Sequence, residues 1–396
     1  MQKLRMIPAM LLLCLLASCR VPAEPPEASP TGSAPITTTE TETTTELPTE
    51  LPTELPTTLP PTEPLTWPVP PVPPPVAPGV VRMTFAGDCT LGGVNGNDSG
   101  FPRAYAGSGS LTYPFDGVRH LFAQDDLTVI NFEGTLTDAA RQADKEWRFR
   151  GPPEYARILP ASSIEAVSLA NNHAPYDYLE QGFRDTMANL RAAGVGVTYT
   201  DHPLVTVVNG VEVVVVSGSA ALAEDKSTTP GAVALGVLMQ IGEYKREGNI
   251  IIADMHWDDS PAWQARTART FIDAGADLVV GHHAHALRGI ERYKGKYIAY
   301  GLGNFAYGGS PLAGEPETIL LHVTFVVENG QPAVAGIAVT PCYITSSTSR
   351  NANGVLRNDY RPRVVTGAQA EAVRTLLLER SRGLADGIDQ VEFYGS

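Results

Sequence analysis

The chain has 396 residues, with 29 Lys and Arg against 43 Asp and Glu, a formal net charge of −14 and 43% hydrophobic residues. No basic cluster stands in the body, which argues against nucleic acid as a partner, because phosphate binding needs a concentrated Lys/Arg face. The same field repels an anionic substrate unless a cation draws it in, and the length suits one large domain or two ordinary ones.

Lys3 and Arg5 precede an apolar run over residues 6–17, too short for an ordinary membrane span and laid out as a secretory signal. The run ends in Leu16-Ala17-Ser18-Cys19, small residues before a cysteine, which resembles the bacterial lipobox. Residues 1–19 are therefore expected to be a lipoprotein signal peptide, with Cys19 lipidated and the chain held on the extracytoplasmic face of the cell membrane. The plainer alternative is a signal peptide with an incidental cysteine. More than one acyl chain on Cys19 would anchor firmly, where a single chain binds only marginally. Residues 20–79 are almost all Pro, Thr, Glu, Ser and Ala, with Thr-Glu-Leu-Pro repeated at 45–48, 49–52 and 53–56. Such a segment cannot bury enough apolar surface to offset chain entropy, and it reads as a disordered stalk. At about 3 Å per residue it would reach well over roughly 100 Å.

Order is expected over residues 80–396, starting with a strand at 80–86. Further strands are expected at 127–131, 166–169, 195–199, 249–255 and 278–280, with helices at 153–159, 178–193, 235–247, 262–274 and 368–382. Asn209-Gly210 joins 205–208 to 211–216 as a hairpin, and Lys294-Gly295 joins 290–293 to 296–300. Strands at 319–327 and 333–339 add antiparallel material. Strand and helix alternate up to residue 285 and hairpins follow, a pattern that predicts a mixed α/β sandwich over a purely parallel doubly wound sheet.

Five strand ends deliver polar groups in the same way: Asp88, Glu133, Asn172 with His173, His256, and His283 with His285. The last of these lies in residues 277–286, DLVVGHHAHA, where a β-branched run is expected to break at Gly281 and three histidines follow. One aspartate after a strand is an ordinary turn or cap. Repetition over successive strands is different, since the carboxyl edge of a sheet would gather all of them into one cleft. Imidazole is the commonest neutral ligand for a divalent metal, so a metal site is expected there. Cys89 reads as a small packed residue, with a nucleophile as the alternative, and its pairing with Cys342 is open. Asn304 reads equally as a turn former and as a group that orients a ligand. Arg103, Arg148 and Arg150 read as solvated loop residues, with contact to an anionic substrate as the alternative.

Taken as an ordered set, Phe85-Ala86-Gly87-Asp88-Cys89-Thr90-Leu91-Gly92, Asn131-Phe132-Glu133, Leu169-Ala170-Asn171-Asn172-His173, His256-Trp257, Gly281-His282-His283-Ala284-His285 and Gly301-Leu302-Gly303-Asn304-Phe305 resemble the CapA family of bacterial capsule, or poly-γ-glutamate, synthesis proteins. That family sits in the calcineurin-like metallophosphatase superfamily, so the resemblance implies a four-layer αββα sandwich and a site for two divalent ions. Asp88, Glu133 as the bridging carboxylate, Asn172, His256, His283 and His285 would be the ligands. His173 would serve as a general acid or substrate contact beside Asn172, with Asp177 the third candidate catalytic residue. Oxygen ligands mixed with imidazoles suit Mn, Fe or Zn. The sequence departs from the pattern at Thr90, where the phosphatases carry a histidine ligand, at Asp258-Asp259-Ser260, at Ala284 and at Arg288. The implied function is a membrane-anchored metal-dependent hydrolase that acts on or handles an anionic capsule polymer such as poly-γ-glutamate, within a capsule-synthesis complex. The alternative is a non-catalytic polymer-binding or export factor on the same fold.

Overall fold

The computed structural model describes residues 79–221, 228–257 and 260–395. The expected signal peptide, Cys19 and all but the last residue of the expected stalk lie outside the described residues, as do Asp258 and Asp259. Val80–Thr90 is central to a nine-stranded sheet. Leu127–Phe132, Ala166–Ser168 and Gly196–Thr198 follow it in parallel on one side, and Glu317–Glu328 with Gln331–Tyr343 form a long antiparallel hairpin on the other. A second sheet of six strands runs in the order Ile290–Tyr293, Lys296–Ala299, Leu278–His282, Ile250–His256, Val211–Ser219, Leu204–Val208. Its four inner strands are parallel and each edge is turned antiparallel by a hairpin.

Period-2 alternation divides each strand between two cores. Val213, Val215, Ile250 and Ile252 face the other sheet, meeting Met83 and Phe85 in the inter-sheet core. Their neighbours Val214, Val216, Ile251 and Ala253 point outward and pack under the helices Pro230–Tyr244 and Pro261–Ala274. On the first sheet Ile130, Phe132 and Val167 pack against Leu190 of the helix Leu179–Ala192. Each such side chain contributes about 1.5–3 kcal/mol when taken out of water, so strands apolar on both faces require both a partner sheet and a helical cover. The outcome is the four-layer αββα sandwich. The helix Gly367–Arg382 sends Val373 and Leu377 into the inter-sheet core.

Several elements differ from the sequence expectations. Gly281 does not break its strand, which runs on to His282. A Cβ there would lie 2.5 Å from the Tyr300 carbonyl oxygen and 2.6 Å from the Trp257 indole nitrogen, so the glycine serves close approach. The helix expected from residue 235 starts at Pro230, because Thr229 caps it by accepting from the Ala232 amide at 3.2 Å. Asn304 is not in a turn but opens a strand, Asn304–Tyr307, paired in parallel with Val80–Thr90. Arg103 lies in a helix, Phe101–Ser108, and Arg150 in a strand, Phe149–Gly151, not in loops. Cys89 and Cys342 are both buried and free.

Candidate metal centre

Local backbone geometry aims each candidate side chain. The pairing of Val80–Thr90 with Leu127–Phe132 shifts register between Ala86 and Asp88. A Cβ on Gly87 would stand 1.9 Å from the Gly303 carbonyl oxygen, so only glycine lets the strand bulge there. The Asp88 amide then donates to that same carbonyl at 3.0 Å. Glu133 follows the end of its strand and donates its amide to the Cys89 carbonyl at 2.8 Å. His256 closes Ile250–His256 opposite His282. His283 and His285 take φ of 89° and 50°, left-handed values that strain a residue with a Cβ and that cluster at functional sites.

The structure brings Asp88, Glu133, Asn172, His256, His283 and His285 together. They form two groups able to hold a cation, Glu133 with His256 and His283, and Asp88 with Glu133 and His285; within each, the donor atoms lie within 4.8 Å of one another. Glu133 belongs to both. The Asn172 carboxamide oxygen lies 2.9 Å from His256 Nε2, which is itself 3.1 Å from His283 Nδ1, so the first group has a fourth donor. In the second group His285 Nδ1 is 3.2 Å from Asp88 Oδ2. Thr90, where the resemblance implies a histidine ligand, carries a buried hydroxyl without a hydrogen-bond partner.

Whether these residues fit a metal can be tested on their buried oxygens. Both carboxylate oxygens of Glu133 are buried without a hydrogen-bond partner, and the buried Oδ2 of Asp88 has His285 Nδ1 beside it at 3.2 Å. The nitrogens around Glu133 Oε1 stand off at 3.5 Å from His256 and 3.8 Å from His173 and His285. Buried carboxylates left so are costly, and coordination is one of the few arrangements that resolves them. The group fits. Burial pushes Glu133 up to about 8, partly offset by His285 and reinforced by the Asp88 charge. Burial pulls His256 well below its ordinary value, which keeps it in the neutral form a metal requires. His285 is also drawn down by burial, yet Glu133 and Asp88 outweigh that and raise it to about 10. Protons on such imidazoles and divalent cations compete for the same carboxylates.

Further orienting residues had no assigned role in the sequence reading. Asn131 donates to Asp88 Oδ1 at 2.7 Å and accepts from Asn171 at 3.1 Å. His282 stands between Asp88 Oδ1 at 3.3 Å and Asp254 Oδ2 at 3.2 Å, fixing the carboxylate from behind. The signal was present for Asn131 and Asn171, which stand inside the quoted motifs; Asp254 carries none, being one acidic residue in an apolar strand. The Asn304 carboxamide oxygen lies 2.8 Å from His285 Nδ1, which is the orienting alternative of its two readings.

His173 sits beside the centre with Nδ1 2.9 Å from Asp177 Oδ2. An ionised carboxylate only accepts, so Nδ1 carries the hydrogen and Nε2 is turned toward Glu133. Asp177 is fully buried behind the imidazole, where it also accepts from the Phe149 amide at 2.6 Å. It therefore meets the centre through His173. Burial lowers His173, although Asp177 pulls the other way. Arg150 stacks over Tyr178 at 5.1 Å and donates to the Ala139 carbonyl, while Arg148 donates to the Ala143 carbonyl, so both brace the loops around the site. Cys89 is buried and donates to the Gly87 carbonyl at 3.5 Å, and burial pushes its thiol up, which suits packing and not nucleophilic attack.

The sequence model of the family described as bacterial capsule synthesis protein PGA_cap matches residues 82–308, more than half of the chain. The chain is 34% identical over 216 residues to the PGA biosynthesis protein CapA of Bacillus subtilis (strain 168), covering 49% of this chain and 56% of that one. It is 31% identical over 221 residues to the capsule biosynthesis protein CapA of Bacillus anthracis, covering 49% and 54%. It is 34% identical over 213 residues to a probable polyglutamine synthesis accessory protein of Mycobacterium tuberculosis, covering 45% and 55%. The chain thus spans about half the length of the curated relatives it matches. A crystal structure of a hypothetical protein from Thermus thermophilus aligns at a TM-score of 0.42 and 17% identity, covering 66% of this chain and 97% of that one. By its family match and its CapA relatives, the chain belongs to the bacterial capsule synthesis protein family PGA_cap, the CapA family.

Proposed function

We propose that this chain takes part in the synthesis of an anionic capsule polymer such as poly-γ-glutamate, as a metal-dependent hydrolase of a phosphoester or amide bond. One observation carries the reading: Glu133, shared by two donor groups, has both oxygens buried and without a hydrogen-bond partner. Glu133, Asn172, His256 and His283 would hold one divalent ion, and Asp88, Glu133 and His285 a second. The donor set suits Mn, Fe or Zn. Two such ions supply an activated water and positive charge for the oxygens of the reacting centre. The chain's own part is to place the donors and to move a proton. Once Nε2 has taken up a proton, the His173 imidazolium would give it to the leaving oxygen or donate to a substrate oxygen, and Asp177 would hold Nδ1–H and steady that imidazolium. Cations at this cleft would also offset the repulsion between a chain of net charge −14 and a polyanion. The relatives' names as capsule and PGA biosynthesis proteins support the polymer class.

The second reading, a non-catalytic polymer-binding or export factor, is favoured by Thr90, which leaves one group short of a ligand. Metal analysis of the purified full chain, with cleavage of bis(p-nitrophenyl) phosphate and of poly-γ-glutamate measured with and without a chelator, separates the two. Two ions per chain and chelator-sensitive cleavage are expected. A metal-free, inert protein would leave only the binding reading. We further propose that lipidated Cys19 holds the protein on the extracytoplasmic face of the membrane, through residues 20–79, beside other capsule-synthesis components. Cys19→Ser should move the protein from the membrane to the soluble fraction; retention in the membrane would sink the anchor.

A further inference from the structure

The loop that holds Asn172, His173 and Asp177 runs from the short strand Ala166–Ser168 to the helix Leu179–Ala192. Its other support comes from residues 143–149, which pass behind it. The Ala143 amide donates to the Asp177 carbonyl at 2.9 Å, and the Phe149 ring lies 4.3 Å from the His173 ring. Between them the side chain of Lys145, only 7% exposed, reaches under the loop. Its Nζ donates to the Asn172 carbonyl at 2.8 Å and lies 2.9 Å from Asp177 Oδ1. His173 Nδ1 lies 2.9 Å from the other oxygen of Asp177 and 3.1 Å from this same Oδ1. The strap is secured in turn: Arg148 donates to the carbonyls of Ala143 and Lys145, and Asn95 to that of Glu146 at 3.0 Å.

We propose that Lys145 is a positioning residue for the hydrolytic centre, one ammonium that fixes together the carboxamide offered to a cation and the imidazole offered to substrate. The inference rests on the hydrolase reading for its kinetic part alone. A buried ammonium is tolerated only where acceptors surround it, and here one acceptor belongs to a candidate metal ligand and the other to the partner of the candidate acid. The Lys145 charge touches no reacting atom. It acts by removing freedom from a loop whose two working side chains must be placed within a fraction of an ångström.

Changes to residues that orient a metal site's inner groups cost about 10–100-fold in activity or metal affinity. The test uses the full chain with diphenyl phosphate, whose phenol leaving group needs a proton. Lys145→Met, which keeps the stem, should lower kcat about 10–100-fold with little change in KM, and Lys145→Arg, which keeps charge and donors, should recover most of the loss. A second readout needs no activity. In the metal-free chain labelled with nitrogen-15 histidine, long-range proton–nitrogen spectra should show His173 as a single Nδ1–H tautomer in the parent and in Lys145→Arg, and as a mixture in Lys145→Met. An unchanged His173 signature in Lys145→Met overturns the proposal. If Lys145→Met does not fold, Lys145→Gln carries the same comparison. Should the parent chain hydrolyse nothing, the hydrolase reading falls, while the tautomer spectra still decide the role of Lys145.

Discussion

Glu133→Gln is expected to reduce bound metal from two ions per chain to none that survives desalting, while His283→Ala and His285→Ala each cost one ion. The asymmetry follows from geometry. Glu133 is the member common to both donor groups, whereas His283 and His285 each belong to one. A neutral carboxamide cannot bridge two cations with charge as a carboxylate does, so both ions lose their shared anion at once. The ion held by Asp88, Glu133 and His285 should also leave first under a chelator, because Thr90 supplies no imidazole to that group. Stability should move in opposite directions with and without metal. Ligands that bind only the folded state stabilise it by about 2.7 kcal/mol at a hundredfold excess over Kd, and Glu133→Gln forfeits that. In metal-free protein the sign reverses. Burial raises Glu133 to about 8, so its neutral form is the one folding favours. The stability tied to that proton is present below the unfolded value and is lost as pH rises toward 8. Glu133→Gln mimics the neutral form at every pH. Metal-free, the variant should melt close to the parent at pH 5 and above it at pH 8.5. Thermal melts with and without chelator, beside metal analysis, measure all of this. Parent and variant with equal metal content would refute the bridging assignment.

Much of this centre could be read in the sequence because strand and site are coupled. A parallel strand presents its last residues at one edge, so Asp88, Glu133, Asn172, His256 and the His283–His285 pair announced themselves by following β-branched runs. The two cores likewise follow from strands apolar on both faces. What could not be read depends on contacts across the fold. Gly281 looks like a stop in one dimension; only the Tyr300 carbonyl and the Trp257 ring show it to be a point of close approach. Asn304 reads equally as a turn former and as an orienting group until the strand Asn304–Tyr307 is seen beside Asp88. Strands such as Gly93–Val94, Thr135–Leu136 and Phe149–Gly151 are too short to show a period of two, and they frame the loop that carries Lys145. A lysine in such a loop reads as solvated surface, and nothing in the chain before or after it reports that its ammonium is buried. Asp254, and the orienting role of His282 among its three clustered histidines, were hidden for the same reason: the partners lie on different strands.

His173→Ala should leave both ions in place and lower kcat by about 10²–10⁴-fold on an alkyl phosphodiester, the range a positioned proton donor contributes. Metal retention follows from placement, since His173 belongs to neither donor group. Whether the imidazole works as an acid or only as a contact is decided by the leaving group. A nitrophenolate departs without a proton, so an acid's loss should matter far less on a nitrophenyl ester than on an alkyl ester, whereas a substrate contact should matter equally on both. Asp177→Asn makes the complementary test. A carboxamide can turn its NH₂ toward Nδ1 and donate, which moves the imidazole hydrogen to Nε2 and removes the anion that steadies an imidazolium. It should therefore share most of the His173→Ala defect, and the double variant should be little worse than either single one, because residues that act as a unit do not add. Full additivity of the two losses would mean that Asp177 supports the fold of the loop and not the imidazole, and would separate the pair that the 2.9 Å contact joins.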